Sequence, residues 1–314
     1  MAEPSPIGVD VTRRLGADEV AAVLALVDSV TDADGVRPLS EHVMLHLRYG
    51  GDADARHLLA RQGDRLVGYS HIDISDAVAG SSAELAVRPD ARGHGVAGAL
   101  VQRLLQEAPD GRLRLWAHGQ QPAAAALARR WGFRRERVLW QMRRSLFAPL
   151  PAARLPPGIR LRPFVPGQDE AAWTEVNNRA FADHPDQGHW GVDEISIRER
   201  EPWFDPAGFL IAERADGAMA GFHWTKVHGG SPGGPADGDH AHEAIGEVYI
   251  LGVDPSAQGQ GLGPALTLAG LRHLRSRGLS QAMLYVDESN PAAIAVYKRL
   301  GFTRWDTDVS FARV

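Results

Sequence analysis

Apolar positions recur with helical spacing over about residues 17–29 and again over about 168–182, which predicts an amphipathic helix early in each half of the chain. Two β-rich stretches follow at corresponding places, RLVGYSHIDI (65–74) and AMAGFHWTKV (218–227), where alternation is imperfect but strand formers dominate. Next in each half comes an apolar strand, SAELAV or EVYILGV, then a glycine-dense turn and a helical pattern over about 97–107 or 263–277. A further strand, LRLWA or AMLYV, leads into a short helix and a closing strand. The expected architecture is mixed α/β in both halves.

The two halves also match residue by residue. AVRPDARGHGVAGAL (86–100) and GVDPSAQGQGLGPAL (252–266) align at an offset of 166, and QPAAAALARRWGF (121–133) and NPAAIAVYKRLGF (290–302) align at 169. A period of that length is domain-sized, so it reads as a duplicated domain and not as a solenoid repeat. The proline-rich stretch APLPAARLPPGIRLRP (148–163) has no sustained periodicity and reads as the junction. The expected division is a first domain over 1–147, a linker over 148–158 and a second domain over 159–314.

Composition narrows this further. The 314 residues suit two domains, and 44% hydrophobic with 23% charged residues is ordinary for a soluble globular protein. A net charge of −5 argues against a nucleic-acid surface, which needs clustered Lys and Arg. The apolar run AAVLALV (21–27) is too short to span a bilayer and lacks basic flanks, so a cytoplasmic protein is expected. The chain has no cysteine, which removes disulfides, thiolate metal sites and any acyl-enzyme on sulfur.

Glycines between a strand and a helix let backbone N–H groups converge at the positive end of the helix dipole, an anion site suited to a pyrophosphate. Gly93, Gly95 and Gly98 satisfy the spacing of a dinucleotide turn, but His118 stands where its acidic residue should lie, and Pro264 breaks the second copy. A P-loop fails because no Gly-Lys-Ser/Thr follows. The form shared by both copies is Arg92, Gly95, Ala97 and Gln258, Gly261, Gly263. It resembles the acetyl-CoA pyrophosphate loop of the GCN5-related N-acetyltransferases (GNAT), and ESNPAAIAVYKRLGF (288–302) resembles the segment that completes their cofactor cleft.

The resemblance implies two tandem acyl-CoA N-acyltransferase domains, each a mixed, mostly antiparallel sheet flanked by helices, with acetyl-CoA as co-substrate. In the second half it assigns the pyrophosphate to Gln258, Gly259, Gln260, Gly261, Leu262, Gly263 and Pro264. It assigns the pantetheine arm to the backbone of Leu251, Gly252 and Val253, with Asn290, Ala292, Ala293 and Ala295 completing the cleft. The matching residues of the first half are Leu85, Ala86 and Val87 on the strand and Gly93, His94, Gly95, Val96, Ala97 and Gly98 in the loop.

Acetyl transfer from a thioester needs a neutral amine, a place for the developing oxyanion and a proton for the leaving thiolate. The resemblance places a general base at Glu247 and the acid that protonates CoA at Tyr297. Constant offsets map these to Ser81 and Ala128, so the first half is expected to be non-catalytic. With no cysteine available, direct attack in a ternary complex is the natural route.

Segments along nearly the whole chain, GFHWTKVH (221–228) and HPDQG (184–188) among them, resemble one tandem branch of the family, the mycothiol synthases. These acetylate the cysteinyl α-amine of Cys-GlcN-inositol, in the last step of mycothiol biosynthesis. That resemblance implies acceptor contacts at Glu41, Asp186, Lys226, Glu247 and Tyr285, although Asp186 stands where the family carries glutamate. Two rivals stay open at this level: acetylation of another small amine such as an aminoglycoside, and a non-catalytic acyl-CoA-binding module. His240 and His242 lack a third ligand at a convincing spacing, so no metal is expected, nor a nucleic-acid or membrane partner; the protein is expected to be a monomer.

Overall fold

The computed structural model describes residues 6–50, 54–75, 80–182, 190–228 and 244–313. They fall into two compact units. The first takes Met1–Trp140 together with Asp287–Ser289 and Asp306–Val314; the second takes Gln141–Val286 and Asn290–Trp305. The units are therefore interleaved in sequence, because the C-terminal residues of the chain belong to the first.

In the first unit, β1 (Ile7–Thr12), α1 (Ala17–Asp34) and α2 (Glu41–Tyr49) precede β2 (Ala55–Gln62), β3 (Arg65–Asp73) and β4 (Ser81–Val87). Then come α3 (Val96–Glu107), β5 (Leu113–Ala117), α4 (Pro122–Arg130) and β6 (Arg134–Ser145), the last of which is divided between the units. The strand order is β1-β2-β3-β4-β5, and β5 is flanked on its far side by β12 (Thr303–Arg313), whose residues Val309–Arg313 pair antiparallel with Ala117–Leu113. Helices cover both faces. Val23, Val27, Val43 and Leu47 of α1 and α2 pack with Leu59, Tyr69 and Ala86, while Val96, Leu100 and Leu104 of α3 pack with Leu58, Val67 and Ile72.

The second unit repeats this plan. It holds β7 (Ile159–Pro163), α5 (Glu170–Ala180), α6 (Val192–Arg198), β8 (Phe209–Arg214), β9 (Met219–His228) and β10 (Ile245–Val253). After these come α7 (Leu262–Ser276), β11 (Gln281–Asp287) and α8 (Pro291–Arg299), and the strand order is β11-β10-β9-β8-β7. The imperfect alternation of β9 now has a cause: its first eight residues are all buried. Phe222 and Trp224 join Trp173, Phe209 and Ile250 on one face, while Ala220 packs with Leu262 and Leu266 of α7 on the other. The proline-rich stretch carries no regular structure over 149–156, yet it is tied to α7, where Arg275 donates to the Ala148 carbonyl and Arg272 to that of Pro151.

The hydrophobic pattern does not announce two short helices, α2 and α6. Each is a brief element whose cap carries the signal: the Ser40 hydroxyl accepts from the Val43 N–H, and Glu194 reaches back to the Gly191 N–H at 2.8 Å.

Candidate active site

Among the strand pairings described, each unit has one parallel pair, β4–β5 in the first and β10–β11 in the second, and the candidate site lies where the latter stops. In the second unit the β10–β11 ladder comprises Gly246↔Ala282 and Glu247↔Met283. Beyond Glu247, strand β10 keeps its antiparallel partner β9 but has no further rung with β11. Residues 248–253 thus have one backbone edge without a β11 partner, and Leu251, Gly252 and Val253 lie on it. The register between β10 and β9 also shifts between Val248 and Ile250, so Tyr249 is an extra residue in a β-bulge. A bulge bends its strand and re-aims the groups beside it.

The first unit has no such bulge, and the constant offset therefore fails across this strand. Val87↔Gly68 corresponds to Val253↔Gly221, but before the bulge the match moves by one residue. Glu247, opposite Lys226, corresponds to Ser82, opposite Asp73, and not to Ser81. Tyr297 still corresponds to Ala128. The first unit thus has neither a carboxylate nor a phenol at these positions.

It also differs in how far its strands stay joined. The β4–β5 ladder runs over four pairs, from Ser81↔Leu113 to Glu84↔Trp116. At its end a buried ionic triad forms: His118 Nδ1 lies 2.9 Å from Asp308 Oδ2, and His118 Nε2 pairs with Glu84 Oε2 at 3.4 Å without hydrogen-bond alignment. The Ser40 N–H donates to the same Glu84 oxygen at 2.6 Å, and the Gly119 N–H to Asp308 at 2.9 Å. Burial opposes the charge on His118, yet its two carboxylate partners outweigh that and push it up to about 10. The Glu84 carboxyl is likewise held down at about 2 by His118 and the Ser40 N–H, against the effect of its burial.

The triad makes stability depend on pH. A histidine raised in the folded state contributes fully below its unfolded value near 6.5, and the contribution fades as pH climbs toward 10. A depressed carboxyl contributes above about 4.5 and loses that contribution as pH falls toward 2. His118→Leu leaves buried carboxylates unpaired, so urea unfolding at pH 6 is expected to show a loss of about 3 kcal/mol or more. The gap from the unaltered protein should narrow at pH 9; an equal gap at both pH values would rule out a charged His118.

At the cleft of the second unit, Glu247 is 7% exposed and its Oε2 lies 2.5 Å from His228 Nε2. Lys226, directly opposite in β9, is buried with its Nζ 4.4 Å from the centre of the Trp203 ring and 5.1 Å from that of Tyr249. The Tyr249 hydroxyl accepts from Arg198 Nε at 2.8 Å, and the Arg198 guanidinium lies over Trp190. Aromatic rings, one ammonium and one carboxylate therefore share the bulged part of the sheet. On β11, Tyr285 is 41% exposed and its hydroxyl accepts from Gln141 Nε2 at 2.8 Å.

Tyr297 sits on α8, half-buried, with its ring edge-on to Phe302 at 5.9 Å. Burial alone pushes its phenol up to about 12. Asn290 caps that helix, its side-chain oxygen accepting from the Ala293 N–H at 3.0 Å. Ala292 and Ala295 lie on the exposed side of the same helix.

The glycine turns have the expected form in both units. Gly259 and Gly261 have φ of 75° and 82°, and Gly93 and Gly95 have 78° and 88°, so a β-carbon at any of the four would strain the backbone. The α7 and α3 N-termini follow directly, with Gly261 and Gly95 as N-caps. No protein acceptor takes the N–H groups of Gly259, Gln260, Gly261, Leu262 or Gly263 among the described residues, as an anion cradle requires. Gln258 Nε2 donates to the Val253 carbonyl at 3.3 Å, whereas Arg92 makes a bidentate pair with Asp34 at 2.8 Å.

Glu41 opens α2 in the first unit. Asp186, His240 and His242 lie outside the described residues. Among the described residues no group of three or more His, Asp or Glu is placed to hold a metal ion. No helix there is long and apolar enough to cross a membrane. Sequence reasoning misses His228, which ends the GFHWTKVH segment, because only the strand register shows that it reaches Glu247.

Comparison with known proteins bears on the family and the fold. Residues 171–302 match the acetyltransferase (GNAT) family model, and residues 53–135 match an acetyltransferase (GNAT) domain model. Mycothiol acetyltransferase of Acidothermus cellulolyticus is 56% identical over 99% of this chain and 96% of its own length. That of Streptosporangium roseum is 53% identical over 96% and 97%. Among solved structures, a tandem GNAT protein from the clavulanic acid biosynthesis pathway superposes with a TM-score of 0.71 over 98% of both chains at 21% identity, a likeness of fold. With two such domains and identity sustained end to end, the chain belongs to the mycothiol acetyltransferase family of tandem GCN5-related N-acetyltransferases and is an acetyl-CoA-dependent N-acetyltransferase.

Proposed function

We propose that the second half of the chain transfers the acetyl group of acetyl-CoA to the cysteinyl α-amine of Cys-GlcN-inositol, within a ternary complex. What carries this reading is the end of the β10–β11 ladder at Glu247, with the β-bulge and Lys226 beside it. In this account the N–H groups of 259–263 hold the pyrophosphate, and the free edge of Leu251–Val253 binds the pantetheine arm and the thioester oxygen.

The acceptor arrives as an ammonium with a pKa of about 8. Glu247 takes a proton from it, directly or through one water, and the freed lone pair attacks the thioester carbonyl carbon. The carbonyl oxygen becomes an oxyanion, the C–S bond then breaks to release CoA as a thiolate, and the amide forms as nitrogen passes its remaining extra proton to solvent. Tyr297 keeps its proton at any working pH, because burial holds it at about 12. It donates a hydrogen bond to the sulfur as charge develops there. The raised phenol thus stabilises the nascent thiolate, whose ordinary pKa is about 8.5, by that hydrogen bond.

Lys226 and Tyr285 offer a donor and a hydroxyl to a polyhydroxylated acceptor in this reading. The first half holds a CoA nucleotide on Gly93–Gly98 and Leu85–Val87 without reacting it. The protein works as a cytoplasmic monomer. Purified chain incubated with acetyl-CoA and a panel of amines tests this by mass spectrometry. Acetylated Cys-GlcN-inositol should dominate; preferential acetylation of an aminoglycoside would reassign the acceptor.

A further inference from the structure

We propose that His228 is a positioning residue for Glu247, donating from Nε2 to one carboxylate oxygen so that the other is presented to the acceptor amine. The inference rests on Glu247 being the base and adds a residue to which no role has been assigned. Lys226 lies straight across from Glu247 in the β9–β10 register, so an ion pair between those two would be the default. The Lys226 ammonium instead sits over Trp203 and Tyr249, and Glu247 reaches diagonally to His228, two residues further along β9 on the same face.

The 2.5 Å separation fixes Oε2, and a carboxylate with one oxygen anchored has only the other to offer. Anchoring also answers the cost of its burial, since a carboxylate removed from water needs a hydrogen-bond donor. The groups that face Glu247 from the adjoining strands are Lys226 and His228 of β9 and the apolar Met283 of β11; Tyr249 and its Arg198 partner lie two residues further along β10. The His228 side chain is 32% exposed against 9% for that of Glu247, so the histidine forms the outer side of the pair.

The test uses the full-length chain with acetyl-CoA and Cys-GlcN-inositol, comparing His228→Ala, His228→Gln and Glu247→Gln. For His228→Ala, kcat should fall about 10- to 100-fold, the range for losing a hydrogen bond to a charged group, with acceptor KM within about threefold. The acid limb of its kcat/KM profile should move up by about half a pH unit or more, because a carboxylate deprived of a donor holds its proton more tightly. Added imidazole should restore part of the rate, and His228→Gln, whose amide can donate from a similar place, should stay within about fivefold of the unaltered enzyme.

An unchanged kcat and acid limb in His228→Ala, with Glu247→Gln inactive, would overturn the role of His228 alone. Full activity in Glu247→Gln would instead remove Glu247 as the base and the positioning role with it. A loss in His228→Ala that neither imidazole nor glutamine repairs, at an unmoved acid limb, would mark a merely structural contact and also overturn the proposal.

Discussion

Glu247→Gln is expected to lower kcat by about 10²- to 10⁴-fold, the span that general acid–base groups contribute. Glutamine keeps the size and polarity of the side chain but cannot accept the ammonium proton. Affinity for acetyl-CoA should be unchanged, since the anion cradle at 259–263 and the free strand edge at 251–253 involve only backbone. The pH dependence separates a base from a mere contact. As pH rises past about 8 a growing share of the acceptor amine is already neutral in solution, so the deficit should shrink. A constant deficit on both sides of that pH would mean that Glu247 only holds the acceptor.

Tyr297→Phe is the second large effect, expected to lower kcat and kcat/KM together by about 10- to 100-fold. Equal losses in the two parameters are the mark of an interaction made in the transition state and not in the bound ground state. Phenylalanine preserves the edge-on contact with Phe302, so folding should survive. The informative control is the leaving group. An acyl donor whose thiol is more acidic than that of CoA needs less help at sulfur, and with it the Tyr297→Phe variant should recover most of its rate relative to the unaltered enzyme. A deficit that ignores leaving-group acidity would place Tyr297 in packing.

The features legible in the sequence are those that depend on local chemistry. Gly93, Gly95, Gly259 and Gly261 are legible because only glycine adopts their backbone conformation without strain, and the helix each pair opens is amphipathic. The duplication is legible because both copies keep this turn and the closing GF. Other features depend on what lies alongside in space. Tyr249 reads as one more residue of an apolar strand, yet as a bulge it displaces the whole correspondence and makes Ser82 the counterpart of Glu247. The Glu84–His118–Asp308 triad needs β12 from the far end of the chain to lie against β5, which no periodicity announces. His228 stands in plain view inside GFHWTKVH, but its reach to Glu247 is set by strand register. β9 obscures itself, since burial on both faces erases alternation.

These differences all bear on one asymmetry: a single fold is used twice, and only the second copy joins an early-splaying strand pair to a carboxylate and a phenol. The most direct test is turnover of Cys-GlcN-inositol by a full-length chain carrying Glu247→Gln and Tyr297→Phe together, with the first half untouched and acetyl-CoA binding measured in parallel. Acetyl-CoA should still bind, and product should form only at the level of the uncatalysed reaction. Acetylated product formed at a substantial fraction of the normal rate would place the chemistry elsewhere in the chain and contradict this assignment.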